Sequence, residues 1–130
     1  MQSPLLNITP FYMVFLSIML IPLTIKVLKL RWAHRVSLLD GGHDDLTRAI
    51  RAHGNFTEYV PLILLLLAFS EINNAPIWGL HILGATLIIS RLLHAYGIHR
   101  KTLKPRQMGM YLTFASLIGG SSMLISTLFI

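Results

Sequence analysis

Four stretches of this chain are almost free of charge. Residues 2–25 carry none, 52–70 carry only Glu58, and both 72–90 and 107–130 carry none. Each approaches or exceeds the roughly 20 apolar residues that cross about 30 Å of hydrocarbon. None alternates polar and apolar positions, and an open sheet cannot satisfy its backbone in lipid, so the pattern predicts helices. We expect spans near residues 8–29, 47–70, 76–98 and 107–130, forming one all-α, integral-membrane, up-down bundle of four transmembrane helices. The first run is read as a retained helix rather than a secretory signal. Its leader MQSPLLN has no basic n-region, and no A-x-A-like cleavage site follows.

The breaks fall at LLDGGHDD, EINNAP and HRKTLKPRQ, which are rich in turn-forming or charged residues. Gly41 and Gly42 supply a turn, and Asp44 or Asp45 is expected to cap the second helix. The second connection is so short that helices two and three should be antiparallel neighbours. Lys26, Lys29, Arg31, Arg35, Arg48 and Arg51 surround the first connection; Arg91, Arg100, Lys101, Lys104 and Arg106 surround the third. These are all 11 Lys and Arg residues. The positive-inside rule places both connections in the cytoplasm and both termini outside.

Composition sharpens this picture. The chain has 130 residues, of which 54% are hydrophobic and 12% charged, whereas a soluble domain carries about 25% charged residues. A net charge of +6 would raise nucleic acid as a partner of a soluble protein. Here the cations flank apolar runs, so anionic lipid headgroups and anionic substrates are expected instead. The sequence has no cysteine, which excludes disulfides, protein thiolate catalysis and Cys-based metal sites.

The second span carries a polar stripe. At about 100° per residue, Arg48, Arg51, Asn55, Glu58 and Tyr59 fall within an arc of about 100°. Ionisable groups in a membrane are costly and face protein or a cavity. The stripe suits a zwitterionic ligand, with Arg for carboxylates, Glu for an ammonium and Asn for a peptide group. The alternative is a structural Arg51–Glu58 ion pair that binds nothing. Pro61 removes the hydrogen bond to the Thr57 carbonyl and should bend the helix.

Other polar residues have simpler readings. The six histidines form no H-E-x-x-H and no i, i+4 pair, so no metal site is expected. His81 should hydrogen-bond a neighbouring helix, and Trp32 and Trp78 sit at span ends, as aromatic belts do. Ala115 with Gly119, and Ser116 with Gly120, form small-xxx-small pairs that let helices approach closely. Arg91 and His94, at i and i+3, share a face.

The pattern R-x-x-R-A-x-x-N-x-x-E-Y-x-P, Arg48 to Pro61, resembles the signature of the MAPEG family, the membrane-associated proteins of eicosanoid and glutathione metabolism. These include microsomal glutathione transferases, leukotriene-C synthases and prostaglandin E synthases. Length, four-helix organisation and charge layout match over nearly the whole chain, and the compact bacterial branch is the nearest in character. One departure is Thr47, where an acidic residue is common.

The resemblance implies a homotrimer in a bacterial inner membrane. Glutathione, as co-substrate, would bind between subunits near the cytoplasmic face, with a lipophilic small molecule as acceptor. Arg51, Asn55, Glu58 and Tyr59 would form the main wall of the site. His53 and Arg31 would contribute across the subunit boundary. His94 stands at a histidine or tyrosine position of the family. Trp32 replaces a frequently basic residue, which weakens any eicosanoid assignment, and Ile98 replaces a tyrosine. Arg106 matches the family's catalytic arginine, with Tyr111 at the spacing of the leukotriene branch; Arg48 and Arg91 are secondary candidates. Without the resemblance, Arg106 reads as a positive-inside anchor.

The implied activity is a glutathione transferase or peroxidase acting on lipophilic compounds. The alternatives are a non-catalytic lipid-binding relative and a small structural or transport subunit. In the lipid-binding branch the second arginine and the glutamate of the motif are lost, whereas Arg51 and Glu58 are both present here.

Overall fold

The computed structural model describes residues 6–129. Four helices account for most of them: α1 (Thr9–His34), α2 (Asp44–Ile72), α3 (Ile77–Arg100) and α4 (Leu103–Leu128). Each is long and apolar enough to cross a membrane, and no strand occurs among the described residues. The first five residues of the MQSPLLN leader, and Ile130 at the end of the expected fourth span, lie outside the described residues.

All four helices run past the expected spans at their basic ends. Hydropathy marks where hydrocarbon stops, but backbone hydrogen bonds carry a helix on into the headgroup layer. α4 begins at Leu103 rather than residue 107, with Pro105 in its first turn, where a missing N–H breaks no helical bond. The break expected across HRKTLKPRQ shrinks to Lys101 and Thr102. Lys101 adopts the left-handed conformation, and the Thr102 N–H closes onto the Gly97 carbonyl at 2.9 Å. Arg106 therefore belongs to the helix proper. α2 likewise stays helical through Pro61.

α2 packs against all three other helices, burying Leu46, Ala49, Phe56, Val60, Ile63, Leu64 and Leu67 along one face. α1 is peripheral, with only Thr9, Tyr12 and Leu16 buried, while Phe11, Phe15 and Ile18 turn outward. The Tyr12 ring fits where Gly84 has no side chain, since a Cβ there would lie 2.6 Å from the ring. Its hydroxyl pairs with His81 Nδ1 at 2.9 Å, the helix-to-helix bond expected of that histidine. Gly119 and Gly120 give close approach to Leu83 of α3 and Leu66 of α2, as their spacing suggests. Trp32 and Trp78 are exposed at the ends of their helices.

One arrangement of carboxylates differs from the sequence reading, and others have no counterpart in it. Neither Asp44 nor Asp45 caps α2; His43 is the N-cap residue, and both acids lie in the first turn. There they complement the helix dipole, Asp44 pairing with Arg48 at 3.0 Å and Asp45 with His34 at 2.9 Å. Thr47 donates its hydroxyl to Asp40 at 2.7 Å, so it serves as a loop contact. The Gly42 N–H and the Thr47 hydroxyl hold the Asp40 carboxyl below the usual carboxylate range. Glu71, at the far end of α2, accepts the N–H groups of Asn7, Ile8 and Thr9 at 2.6–2.7 Å. It thereby closes the start of α1 with a charge-assisted cap from 62 or more residues away.

Candidate functional site

The stripe on α2 divides in two. Arg51 and Glu58 point outward, Asn55 is buried, and Tyr59 is half-buried with its ring edge-on to Phe114 at 5.8 Å. Among the described residues the ion pairs are His34–Asp45 and Arg48–Asp44, so Arg51 and Glu58 do not pair within the chain. Both charges are left available.

Inside the bundle, Arg91 is the largest fully enclosed side chain, only 2% exposed. Its Nη1 donates to Asn55 Oδ1 at 2.6 Å, its Nε to Ser90 Oγ at 3.1 Å, and its Nη2 to Thr113 Oγ1. The other end of the Asn55 amide donates to Met110 Sδ at 3.2 Å. Asn55 is thus engaged inside the chain at both ends of its amide. The partners of Arg91 are all neutral, so three oxygens disperse a charge that burial makes costly. Ser90 and Thr113 carry no signal in the sequence, because each is an ordinary small polar residue in an apolar run. Thr113→Val keeps the shape but removes an acceptor from this guanidinium. It should destabilise the bundle by about 1.5–3 kcal/mol, the worth of a hydrogen bond to a charged group. Thermal unfolding in detergent reads this, and Thr113→Ser should recover most of the loss.

At the basic end of the same helices lies an open cleft of about 390 Å³, within the range of small-molecule sites. Thr47, Arg48 and Arg51 line it from α2, Gly97 and Ile98 from α3, Lys101 and Thr102 from the turn, and Leu103 and Arg106 from α4. Four cations and no carboxylate line it, with the exposed Asp44 paired to Arg48 from outside the lining, so the cleft suits anions, and its Arg forks suit carboxylates. Ile98 and Leu103 supply an apolar wall. Arg48, Arg51 and Arg106 line the same cleft, although 55 positions separate the last two. Lys101, Gly97 and Leu103 were not singled out from sequence; only the turn that brings α3 and α4 together reveals them.

The other candidates lie elsewhere. His94 is buried on α3, on the same inward face as Arg91. Arg31 donates Nη1 to the carbonyls of Ser37 (3.2 Å) and Leu39 (3.0 Å), bracing the α1–α2 loop. It lines a separate hollow with Trp32 and Arg35. His53 is half-buried on α2, and Tyr111 is exposed on α4; neither reaches the cleft. Among the described residues no group of three or more His, Asp or Glu gathers at one point.

The sequence profile of the MAPEG family matches residues 9–126. Two curated relatives, each named Inner membrane protein YecN, come from Escherichia coli strain K12 and Escherichia coli O6:H1 strain CFT073. Each is 38% identical over 111 residues, covering 85% of this chain and 85% of the relative. No solved structure matches the chain. The motif from Arg48 to Pro61, the four spans and this profile agree, and the chain belongs to the MAPEG family.

Proposed function

We propose that this membrane protein is a glutathione transferase that joins the glutathione thiolate to lipophilic electrophiles. The observation that carries this reading is the convergence of Arg48, Arg51 and Arg106 on one cleft whose lining holds four cations and no carboxylate. Arg48 and Arg51 hold the carboxylates of the tripeptide, and Arg106 stands beside the sulfur. A free thiol has a pKa of about 8.5 and is only a few per cent ionised at neutral pH. A guanidinium beside it favours the thiolate, each pKa unit being worth about 1.4 kcal/mol. The proton goes to solvent, the sulfur forms a bond to the electrophilic carbon, and the leaving group departs with its electron pair. Purified protein in detergent should turn over glutathione with a chlorinated dinitrobenzene; no turnover above the solution rate would count against a transferase.

Glu58 supports assembly into a homotrimer. It lies 14 residues into α2, about 21 Å from its start, and is exposed on the single chain. A carboxylate facing lipid at the centre costs about 2.5–3.5 kcal/mol on insertion scales. A second copy covering this face removes that cost and brings Glu58, Arg31 and His53 to an intersubunit site. The name of the E. coli relatives supports an inner-membrane location. With every Lys and Arg at one end, a reporter fused after Ile130 should be extracytoplasmic. A cytoplasmic reporter would invert the side from which the cleft opens.

A further inference from the structure

Resting on the transferase reading, we infer that Gly97 is a positioning residue: its missing side chain sets where Arg106 stands over the cleft. A Cβ built on Gly97 would lie 2.4 Å from the backbone nitrogen of Arg106 and 2.8 Å from both its Cα and Cβ. The two backbones are therefore in direct contact, and no flexible side-chain end is present to give way. The turn closes the contact from the other side, because the Gly97 carbonyl accepts the Thr102 N–H at 2.9 Å. Gly97 and Arg106 also both line the cleft. The first turn of α4 is thus pressed against α3 at the residue that carries the proposed thiolate partner. A second close contact keeps the pair in register: a Cβ on Gly109 would lie 2.7 Å from the His94 nitrogen and the Ser90 carbonyl oxygen.

A methyl group at position 97 must push Arg106 outward by about 1 Å to reach ordinary van der Waals distance. Displacements of that size at a reacting group cost up to about a hundred-fold in rate. Gly119 also makes a close approach in the same helix pair, 2.7 Å to Leu83 Cδ2, but it is remote from the cleft and meets a side chain that can rotate.

The experiment compares Gly97→Ala with Gly119→Ala in the full-length protein in detergent. Bound glutathione is titrated by its ultraviolet thiolate absorbance, and binding is measured by calorimetry. Gly97→Ala should raise the pKa of the bound thiol by about one unit, a tenfold loss of thiolate well below that pKa, with affinity within a few-fold of wild type. Gly119→Ala should leave the titration at the wild-type value, whatever it does to the melting temperature. In the Arg106→Leu background, Gly97→Ala should add no further shift, because it acts through the missing side chain. Should Gly97→Ala fail to fold, one glycine inserted between Lys101 and Thr102 frees the first turn of α4 without adding an atom at the contact; it should raise the thiol pKa in the same way. A wild-type titration in Gly97→Ala, or in the insertion variant, would overturn the inference. So would an equal shift in Gly119→Ala. Absence of any thiolate signal in the wild-type protein would instead refute the transferase reading beneath it.

Discussion

Arg106→Leu should slow turnover roughly ten- to a hundred-fold while changing the glutathione dissociation constant only a few-fold. Arg48 and Arg51 already supply two cations for the carboxylates, and Arg106 reaches the cleft from the opposite wall, on α4. Loss of one charge-assisted contact in a partly dry site is worth about 1.5–3 kcal/mol, which falls on the step that needs the thiolate. The pKa of bound thiol should rise accordingly. Arg106→Lys should restore part of the rate, since it keeps the charge but lacks the planar fork. An unchanged titration in Arg106→Leu would reduce this residue to a membrane-surface anchor. Its role would then pass to Lys101, the remaining cation of the cleft outside α2; Arg91 is enclosed and Arg31 braces another loop.

Affinity should respond instead to Arg51→Ala and Glu58→Gln. Among the described residues neither side chain spends its charge on an ion-pair partner, so both are available to a ligand of opposite charge. Arg51→Ala removes a carboxylate fork from the cleft and should weaken binding about ten- to a hundred-fold by the same energy scale. Glu58→Gln removes the counter-charge for the ammonium and should weaken binding more than it disturbs trimer assembly. Calorimetry on the two variants, beside their oligomeric state in detergent, separates these effects. Unchanged affinity in both would make the stripe structural and the glutathione assignment wrong at its centre.

The helices were legible because lipid imposes a coarse rule on sequence: long uncharged runs, with cations at one end. The family was legible because seven chemically particular residues keep a fixed register from Arg48 to Pro61. Less legible was how the stripe is used. An arc of about 100° is as wide as the whole packed face of a helix. One edge, Asn55 and Tyr59, turns toward α3 and α4, while the other, Arg51 and Glu58, turns outward. Wheel geometry ranks directions but does not say which neighbour stands in each. The same limit hid Thr113 as a partner of Arg91, and Glu71 as the cap of a helix more than 60 residues earlier in the chain. Helix ends were displaced for a different reason, since hydrophobicity ends with the hydrocarbon and hydrogen bonding does not. Gly97 is the sharpest case: its role depends on what occupies the space where its side chain is missing, and only the packed α3–α4 turn discloses that.

A cationic cleft that holds glutathione as its thiolate carries a spectroscopic signature. The most direct measurement is the ultraviolet difference spectrum of the purified wild-type protein titrated with glutathione at neutral pH. A saturable thiolate band is expected that titrates with a pKa below the free-thiol value of about 8.5 and is diminished in Arg106→Leu. No saturable band, or one that titrates at the free-thiol value, would contradict it.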